Sequence, residues 1–426
     1  MAQDYSPTPF QAKTFIQTAE AVLPDLDTWS QISEAEVDVA ADMTRRNEIS
    51  GGTPTVREFE ERWRQWIGSR FSISTFNGTT AIWSAYFGIG VGPGDEVICP
   101  VNTWICSIAS VPMMGGTPVF SEIDPETLMM DPADVEARIT PRTVAILPVH
   151  LWGNVCNMDA LLEIGRKHGI AVIEDCSHAH GAKYRGKMCG SMGIAGCWSL
   201  QGSKPISAGE GGVMVTDDVE VFERACLVGQ CNRIQGIDMV RPKYAELQPL
   251  GLGIKFRSHP LGIGIAGVQL SKVDELNRRR RAYVEVVEAG LADIPGLRPL
   301  KVYDGAERAG FYSFPVIHEP DQMNGVTTAA LVDGLKAVGL RVGRGGYGNL
   351  HNLPLFQKGF DIFTKKRGPL CPENGWKGYR LGDFPKAELA KERTIFLPVL
   401  SQPIPNADQM VVDAIRDTVC RLMQRA

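Results

Sequence analysis

Apolar residues recur along the chain with two periods, one helical and one strand-like, and the two alternate. Val56, Phe59, Trp63 and Trp66 fall at helical spacing behind Thr55-Val56-Arg57-Glu58, which has the form of a capping box. Residues 71–75 read as a strand, and an apolar helix carrying Ile82, Tyr86 and Ile89 follows. Short apolar runs at 96–99, 118–123, 143–149 and 170–173 predict strands, and helical patterns at 102–111, 131–139 and 158–168 separate them. Runs at 194–200 and 213–216 predict two further strands, with a helix over 219–232 behind them. This βαβα rhythm predicts an α/β fold built on an open, mainly parallel sheet with right-handed crossovers.

Past residue 232 the pattern loosens. Residues 235–258 form a Gly/Pro-containing connection, and 265–287 carry one long helical pattern, rich in arginine at 278–281. Beyond it the order is strand (311–317), helix (327–338), strand (340–342), a loop-rich stretch with several aromatics (343–371), strand (394–399) and a closing helix (407–423). The change of texture predicts a large α/β domain over 1–287, with 1–45 as an N-terminal helical segment, and a smaller α+β domain over 288–426.

Composition narrows the function classes. A chain of 426 residues is long enough for a large domain and a smaller one. Hydrophobic residues make up 44% and charged residues 22%, as in soluble globular proteins. The net charge is -5, and no basic run or basic amphipathic helix points to nucleic acid or a membrane surface. The N-terminus has no apolar signal region, and no apolar segment reaches the ~20 residues needed to cross a bilayer. Ten cysteines are scattered without a C-x-x-C pair, which suits reduced, buried thiols in a cytoplasmic enzyme and predicts no structural metal.

The candidate chemistry centres on CWSLQGSKPISAGEGG at 197–212. A buried strand there ends in polar residues and a single lysine, Lys204, before the glycine turn at 209–212. Glycines let a backbone approach a flat, charged ligand. Three upstream features lie at strand ends or just beyond, where open α/β sheets bind ligands. Asn77-Gly78-Thr79-Thr80 joins a strand to a helix and is either a phosphate site or a plain N-cap. Trp104 follows Asn102-Thr103 and either stacks on a planar ring or belongs to the core. Asp175, with His178 three residues on, is a carboxylate ending a buried strand, and it needs a charge partner unless it caps the next turn. A phosphate cup, a ring stacker, a carboxylate for a ring nitrogen and a lysine are the parts a pyridoxal phosphate enzyme requires of its protein.

At this point the chain resembles the DegT/DnrJ/StrS family of sugar and cyclitol aminotransferases. The matching text is SGGTPTVREFEERW (50–63), NGTTAIWSA (77–85), PVNTW (100–104), PVHLWGNVCNMD (148–159), VIEDCSHAHGAKYRGKMCGSMG (172–193), SLQGSKPISAGEGG (199–212) and YGNLHNLPLF (347–356). The resemblance implies the fold type I, aspartate aminotransferase-like architecture and pyridoxal 5′-phosphate as cofactor. It implies that Lys204 is the Schiff-base lysine, that Asp175 holds the pyridinium nitrogen, that Trp104 stacks on the ring and that His178 lies near it. Gly78, Thr79, Thr80 and Ser199 would hold the phosphate. Gln201 stands where many members have histidine, as in members that act on keto-cyclitols.

Two departures stand out. Where members carry Asn-Tyr-Arg reaching the partner subunit's cofactor phosphate, this chain has Lys255-Phe256-Arg257, so Lys255 would supply that contact as a cation. An often acidic position is Ile194 here. The resemblance further implies a homodimer with a shared active site, an amino donor (glutamate or glutamine) and a ketone acceptor. His150, Trp152, Arg257, Arg344, Tyr347 and His351 are the candidates for the substrate pocket. Two other readings keep the cofactor, a sugar dehydratase and a non-catalytic regulatory homologue. Lys204 argues against the first, and Lys204 with Asp175 against the second.

Overall fold

The computed structural model describes residues 32–425 apart from 238, 249 and 401–404, so the first part of the predicted N-terminal segment lies outside the described residues. A helix, α1 (Glu34–Arg45), leads into α2 (Pro54–Ile67). Val56, Phe59 and Trp63 of α2 are buried, and Gly68 ends it in the left-handed conformation.

Seven strands form the large sheet. They are β1 (Phe71–Thr75), β2 (Glu96–Pro100), β3 (Thr117–Ser121), β4 (Thr143–Ile146), β5 (Ala171–Asp175), β6 (Ala195–Ser199) and β7 (Gly212–Thr216). Their order across the sheet is β1-β7-β6-β5-β4-β2-β3. The run from β6 to β3 is parallel, whereas β7 lies antiparallel to both neighbours. The link from β6 to β7 folds back on itself, with Leu200 N–H bonded to the Gly211 carbonyl and Ala208 N–H to that of Leu200, so β7 returns alongside β6. Register then does the positioning. Gly212 pairs with both Thr75 and Ser199, and Asp175 pairs with Cys197. The ends of β1, β5 and β6 and the start of β7 therefore share one edge.

Helix α3 (Gly78–Ile89) starts on that edge. A Cβ at Gly78 would sit 2.7 Å from Ser199 Cβ, and one at Gly212 would sit 2.3 Å from the Asn77 carbonyl oxygen. Two glycines thus let the helix N-terminus press against the strand ends.

Three predicted elements differ. The helix expected over 102–111 is a 3-10 turn (Ile105–Ser107) and a short helix (Ser110–Met113). Pro112 cannot donate to Ile108, so no longer helix can run through it. The pattern at 265–287 is two helices, Pro260–Leu270 and Val273–Leu291, broken where Ser271 and Lys272 make tight i−3 bonds to Val268 and Gln269. The strand expected from 311 begins at Phe314, because Phe311 adopts φ 45°. Tyr312 consequently lies on the approach to the strand, not in it.

A second, antiparallel sheet orders Leu297–Pro299, Phe314–His318, Thr394–Leu397 and Gly343–Arg344 side by side. Leu331 and Leu335 of helix Thr328–Ala337, with Val411 and Ile415 of helix Ala407–Met423, close a core of their own against it. Leu350, Phe356, Leu370 and Phe384 pack in the core of the large sheet instead. That packing carries the loop before them, with Tyr347, to the edge where β5 and β6 end.

Candidate active site

The edge opens into a cavity of about 420 Å³, lined from β1–α3 by Asn77, Gly78 and Thr79, from the loop after β2 by Trp104 and Ser107, and from β5 onward by Asp175 and His178. Ser199, Gln201, Lys204 and Glu210 line it from the β6–β7 turn, and Tyr312 and Tyr347 from the C-terminal half. The turn is held by its own backbone: Leu200 N–H donates to Gly211 (2.8 Å), Ala208 to Leu200 (2.8 Å) and Lys204 to Gln201 (2.8 Å). Ser207 N–H is anchored from outside by Gln269 Oε1 (2.6 Å).

Lys204 is 8% exposed, and Asp175 is 3% exposed. Among the described residues no carboxylate lies within ion-pair distance of Lys204 and no cation within that distance of Asp175. The Lys204 ammonium instead sits 3.9 Å from the centre of the Tyr312 ring. Burial pulls its pKa down to about 8, against the opposing pull of Asp175. Asp175 accepts from Ser107 Oγ (2.8 Å) and from the Ser177 N–H (3.0 Å). Two unpaired, opposite, buried charges on one cavity are costly unless something between them answers both. A pyridinium ring with an aldehyde has one group for each.

His178 lies between two phenols. Its ring stacks on Tyr312 at 4.0 Å and 13°, and on Tyr347 at 5.7 Å and 29°. The Trp152 N–H donates to Nδ1 (3.4 Å), so the ring proton belongs on Nε2, facing Tyr347 Oη at 3.2 Å. Burial, then the charges of Lys204 and His180, hold its pKa well below the usual value, so the ring is neutral. Trp104 stands 55% exposed at the mouth, 5.5 Å from the Tyr347 ring.

The N-terminus of α3 completes the site. Asn77 Oδ1 accepts from the Thr80 N–H (2.9 Å), and the Thr80 hydroxyl turns back to the Asn77 carbonyl (2.9 Å). Thr80 is thus spent on the cap and does not line the cavity. The N–H groups of Gly78 and Thr79 open the helix beside Ser199, where the helix dipole favours an anion.

A family model for the DegT/DnrJ/EryC1/StrS aminotransferases matches residues 30–367. A protein of Streptoalloteichus tenebrarius, provisionally assigned as an L-glutamine:3-amino-2,3-dideoxy-scyllo-inosose aminotransferase, is 34% identical over 381 residues, 86% of this chain and 90% of that one. The chain belongs to the DegT/DnrJ/EryC1/StrS aminotransferase family. GDP-perosamine synthase of Caulobacter vibrioides is 42% identical over 235 residues, 55% of this chain and 61% of that one. The crystal structure of 3-amino-5-hydroxybenzoic acid synthase matches with a TM-score of 0.76 at 27% identity, covering 93% of this chain and 99% of that one. The protein is a pyridoxal 5′-phosphate-dependent aminotransferase of fold type I, and the unpaired Lys204 and Asp175 fit that cofactor.

Several residues expected beside the substrate lie elsewhere in the aminotransferase. His150 is fully buried beneath the site, with Nε2 3.2 Å from Glu174 Oε2 and Nδ1 accepting from the Cys156 N–H. Its other partner, Glu174, also accepts the N–H groups of Gly190, Met192 and Gly193 at 2.7–2.8 Å. The nearby Cys176 completes a buried His-Glu-Cys group, but these hydrogen bonds already occupy the carboxylate and the imidazole. His351 is buried against Glu388 (2.6 Å), and Trp152 packs on Phe396. Lys255, Arg257 and Arg344 do not line this chain's cavity, and Lys255 and Arg344 are exposed. Sequence reasoning passed over Ser107 and Tyr312. Pro112 signals that the Ser107 segment is irregular. Nothing local marks Tyr312, whose position depends on the bend at Phe311.

Proposed function

We propose that this aminotransferase moves an amino group from glutamate or glutamine to the carbonyl of a keto-cyclitol or keto-sugar, in the cytoplasm, for antibiotic, secondary-metabolite or surface-glycan synthesis. The observation that carries the site assignment is the pair of unpaired buried charges, Lys204 and Asp175, on one cavity. The relatives named for a scyllo-inosose derivative and for GDP-perosamine support the substrate class.

When bound, the cofactor supplies an electrophilic aldehyde carbon and a ring that takes up an electron pair. Lys204 would hold that carbon through its amine and, once freed by the donor, would serve as the base that moves the donor's Cα proton. A pKa near 8 leaves part of the lysine uncharged at neutral pH, as a base needs. Asp175 keeps a proton on the ring nitrogen, and Ser107 and Ser177 keep Asp175 aimed. Trp104 covers the ring, and His178 packs beside it as a neutral group. Gly78, Thr79, Ser199 and Gln201 hold the phosphate, with the Gln201 side chain fixed by Ser203 (2.9 and 2.6 Å). Tyr347 faces the acceptor.

The same reading makes the enzyme a homodimer in which exposed Lys255 reaches the cofactor phosphate of a second copy. A fully active monomer in sedimentation would rule that contact out. The main test is spectroscopic. Holoenzyme should lose its visible band on adding glutamate or glutamine and regain it on adding the right ketone from a panel of cyclitols and nucleotide-linked sugars. Borohydride should fix the cofactor on the peptide containing Lys204. A Lys204→Ala variant that keeps both the band and turnover would sink the assignment.

A further inference from the structure

Lys204 has a resting place in this fold on an aromatic ring, with no carboxylate in ion-pair contact and Asp175 acting on it only at longer range. Its ammonium lies 3.9 Å from the centre of the Tyr312 ring, and the opposite face of that ring stacks on His178 at 4.0 Å and 13°. The ring is therefore pinned as the middle layer of three. Its edge is pinned as well: Tyr312 Oη lies 3.1 Å from Ser203 Oγ, on the turn that carries Lys204. Ser203 in turn donates to Gln201 Oε1 at 2.6 Å. A second phenol, Tyr347, is bonded to Tyr312 and to His178 Nε2. The bend at Phe311, with φ 45°, keeps Tyr312 out of the neighbouring strand and turned into the cavity.

We infer that Tyr312 is a positioning residue for Lys204: its ring face holds the ammonium whenever the amine is not bonded to the cofactor. This deepens the reading of Lys204 as the cofactor-binding lysine and rests on it. The physical reason is a shortage of partners. A buried ammonium without a counter-ion is destabilised, and an aromatic face offers a negative quadrupole without a group that can trap the lysine as a close ion pair. A carboxylate at the same place would hold the amine protonated and away from the reacting carbon. The aromatic face is weaker, so the lysine leaves it readily. The neutral His178 behind the ring adds no opposing charge.

The groups facing the Lys204 amine are Asp175 and Cys106, which favour the charged form, the neutral His178 and His180, and the phenols of Tyr312 and Tyr347. Glu210 lies on the same cavity wall. Removing the Tyr312 face withdraws one favourable contact from the charged form and leaves the rest in place.

The test uses cofactor-free full-length protein and an amine-directed reagent, cyanate, with labelling of the Lys204 peptide followed by mass spectrometry across pH 6–10. Tyr312→Leu should lower the labelling midpoint by about half to one pH unit, as loss of a partly desolvated cation–π contact implies. At pH 7 that is about a three- to five-fold faster modification. Tyr312→Phe keeps the face and loses only the hydroxyl, so its midpoint should stay with the wild type. A Tyr312→Leu midpoint that is unchanged or raised would overturn the inference, and so would a Tyr312→Phe midpoint that moves as far as that of Tyr312→Leu. Thermal unfolding of each variant separates a misfolded protein from an informative one, and Tyr312→Phe alone then decides through its match to the wild type. Should Lys204→Ala retain the cofactor bond, the underlying assignment fails. Should Lys204→Ala lose it while Tyr312→Leu keeps the wild-type midpoint, only the present inference fails.

Discussion

Two adjacent carboxylates, Glu174 and Asp175, end the same strand on opposite sides of the sheet and live under opposite conditions. Glu174 is fully buried and accepts from three backbone N–H groups and from His150. Asp175 is nearly as buried, accepts two hydrogen bonds and faces a cavity across from an unpaired lysine. The first is an architectural device. It gathers the turn at 190–193 under β5, where a Cβ at Gly193 would meet the Val172 carbonyl oxygen at 2.3 Å. The second is left incomplete by the protein alone. Saturation marks a group that shapes the fold, and a missing partner marks a group that waits for a ligand.

Exchanging the two acids should separate these roles cleanly. Asp175→Asn keeps shape and hydrogen bonding but loses the charge for the ring nitrogen. Turnover should fall by about 10³-fold, within the range for losing a preorganised charge at a reacting centre, with the unfolding midpoint almost unmoved. Glu174→Ala should do the reverse. It strands several buried donors, at a cost of about 3–5 kcal/mol, read as a large drop in the urea midpoint, while properly folded molecules keep their visible band. If Glu174→Ala silenced the enzyme at full stability, the division drawn here would be wrong.

Burying Lys204 without a counter-ion should also leave a trace in stability against pH. Its folded pKa is about 8, below its unfolded value, so the unfolded chain binds more protons between those two pH values. The cofactor-free protein should therefore gain stability as pH rises through that window. Lys204→Met removes the penalty. The variant should be more stable than the wild type at pH 7, by on the order of 3 kcal/mol at most, and the gap should close toward pH 10. A gap of the same size at both pH values would mean that the lysine carries no such burden.

Much of this was legible before any coordinates. Strand 71–75 and the helices 158–168 and 407–423 follow from their own periodicity, because apolar residues recur on one face of each. Lys204, Asp175, His178 and Trp104, each ambiguous alone, were legible as candidates because they fall in order along one α/β rhythm and in text that resembles one family. What sequence could not yield was set by distant packing. His150 and His351 look like pocket residues in a loop, yet each is buried and consumed by an acid 24 and 37 positions away. Ser107 and Tyr312 enter the site because Pro112 and Phe311 break the regular elements that their neighbours would otherwise continue. The antiparallel β7 was equally invisible, since its apolar run reads the same in either direction.

The smallest effect tests the boundary between the two kinds of group. Asn77 is a satisfied helix cap, with Oδ1 2.9 Å from the Thr80 N–H, and also part of the cavity wall. Asn77→Ala should cost about 1 kcal/mol of stability, the usual worth of an N-cap, and loosen cofactor binding because the Gly78 and Thr79 N–H groups lose their fixed direction. Asn77→Asp separates the two contributions. The carboxylate caps the helix as well as the amide did, so the unfolding midpoint should return to the wild-type value. The same negative charge faces the phosphate site, so cofactor affinity, measured by spectroscopic titration, should remain weakened by about ten-fold or more. Recovery of both properties in Asn77→Asp would put the cofactor phosphate somewhere other than the start of α3, because an added carboxylate cannot sit beside a phosphate dianion without repelling it.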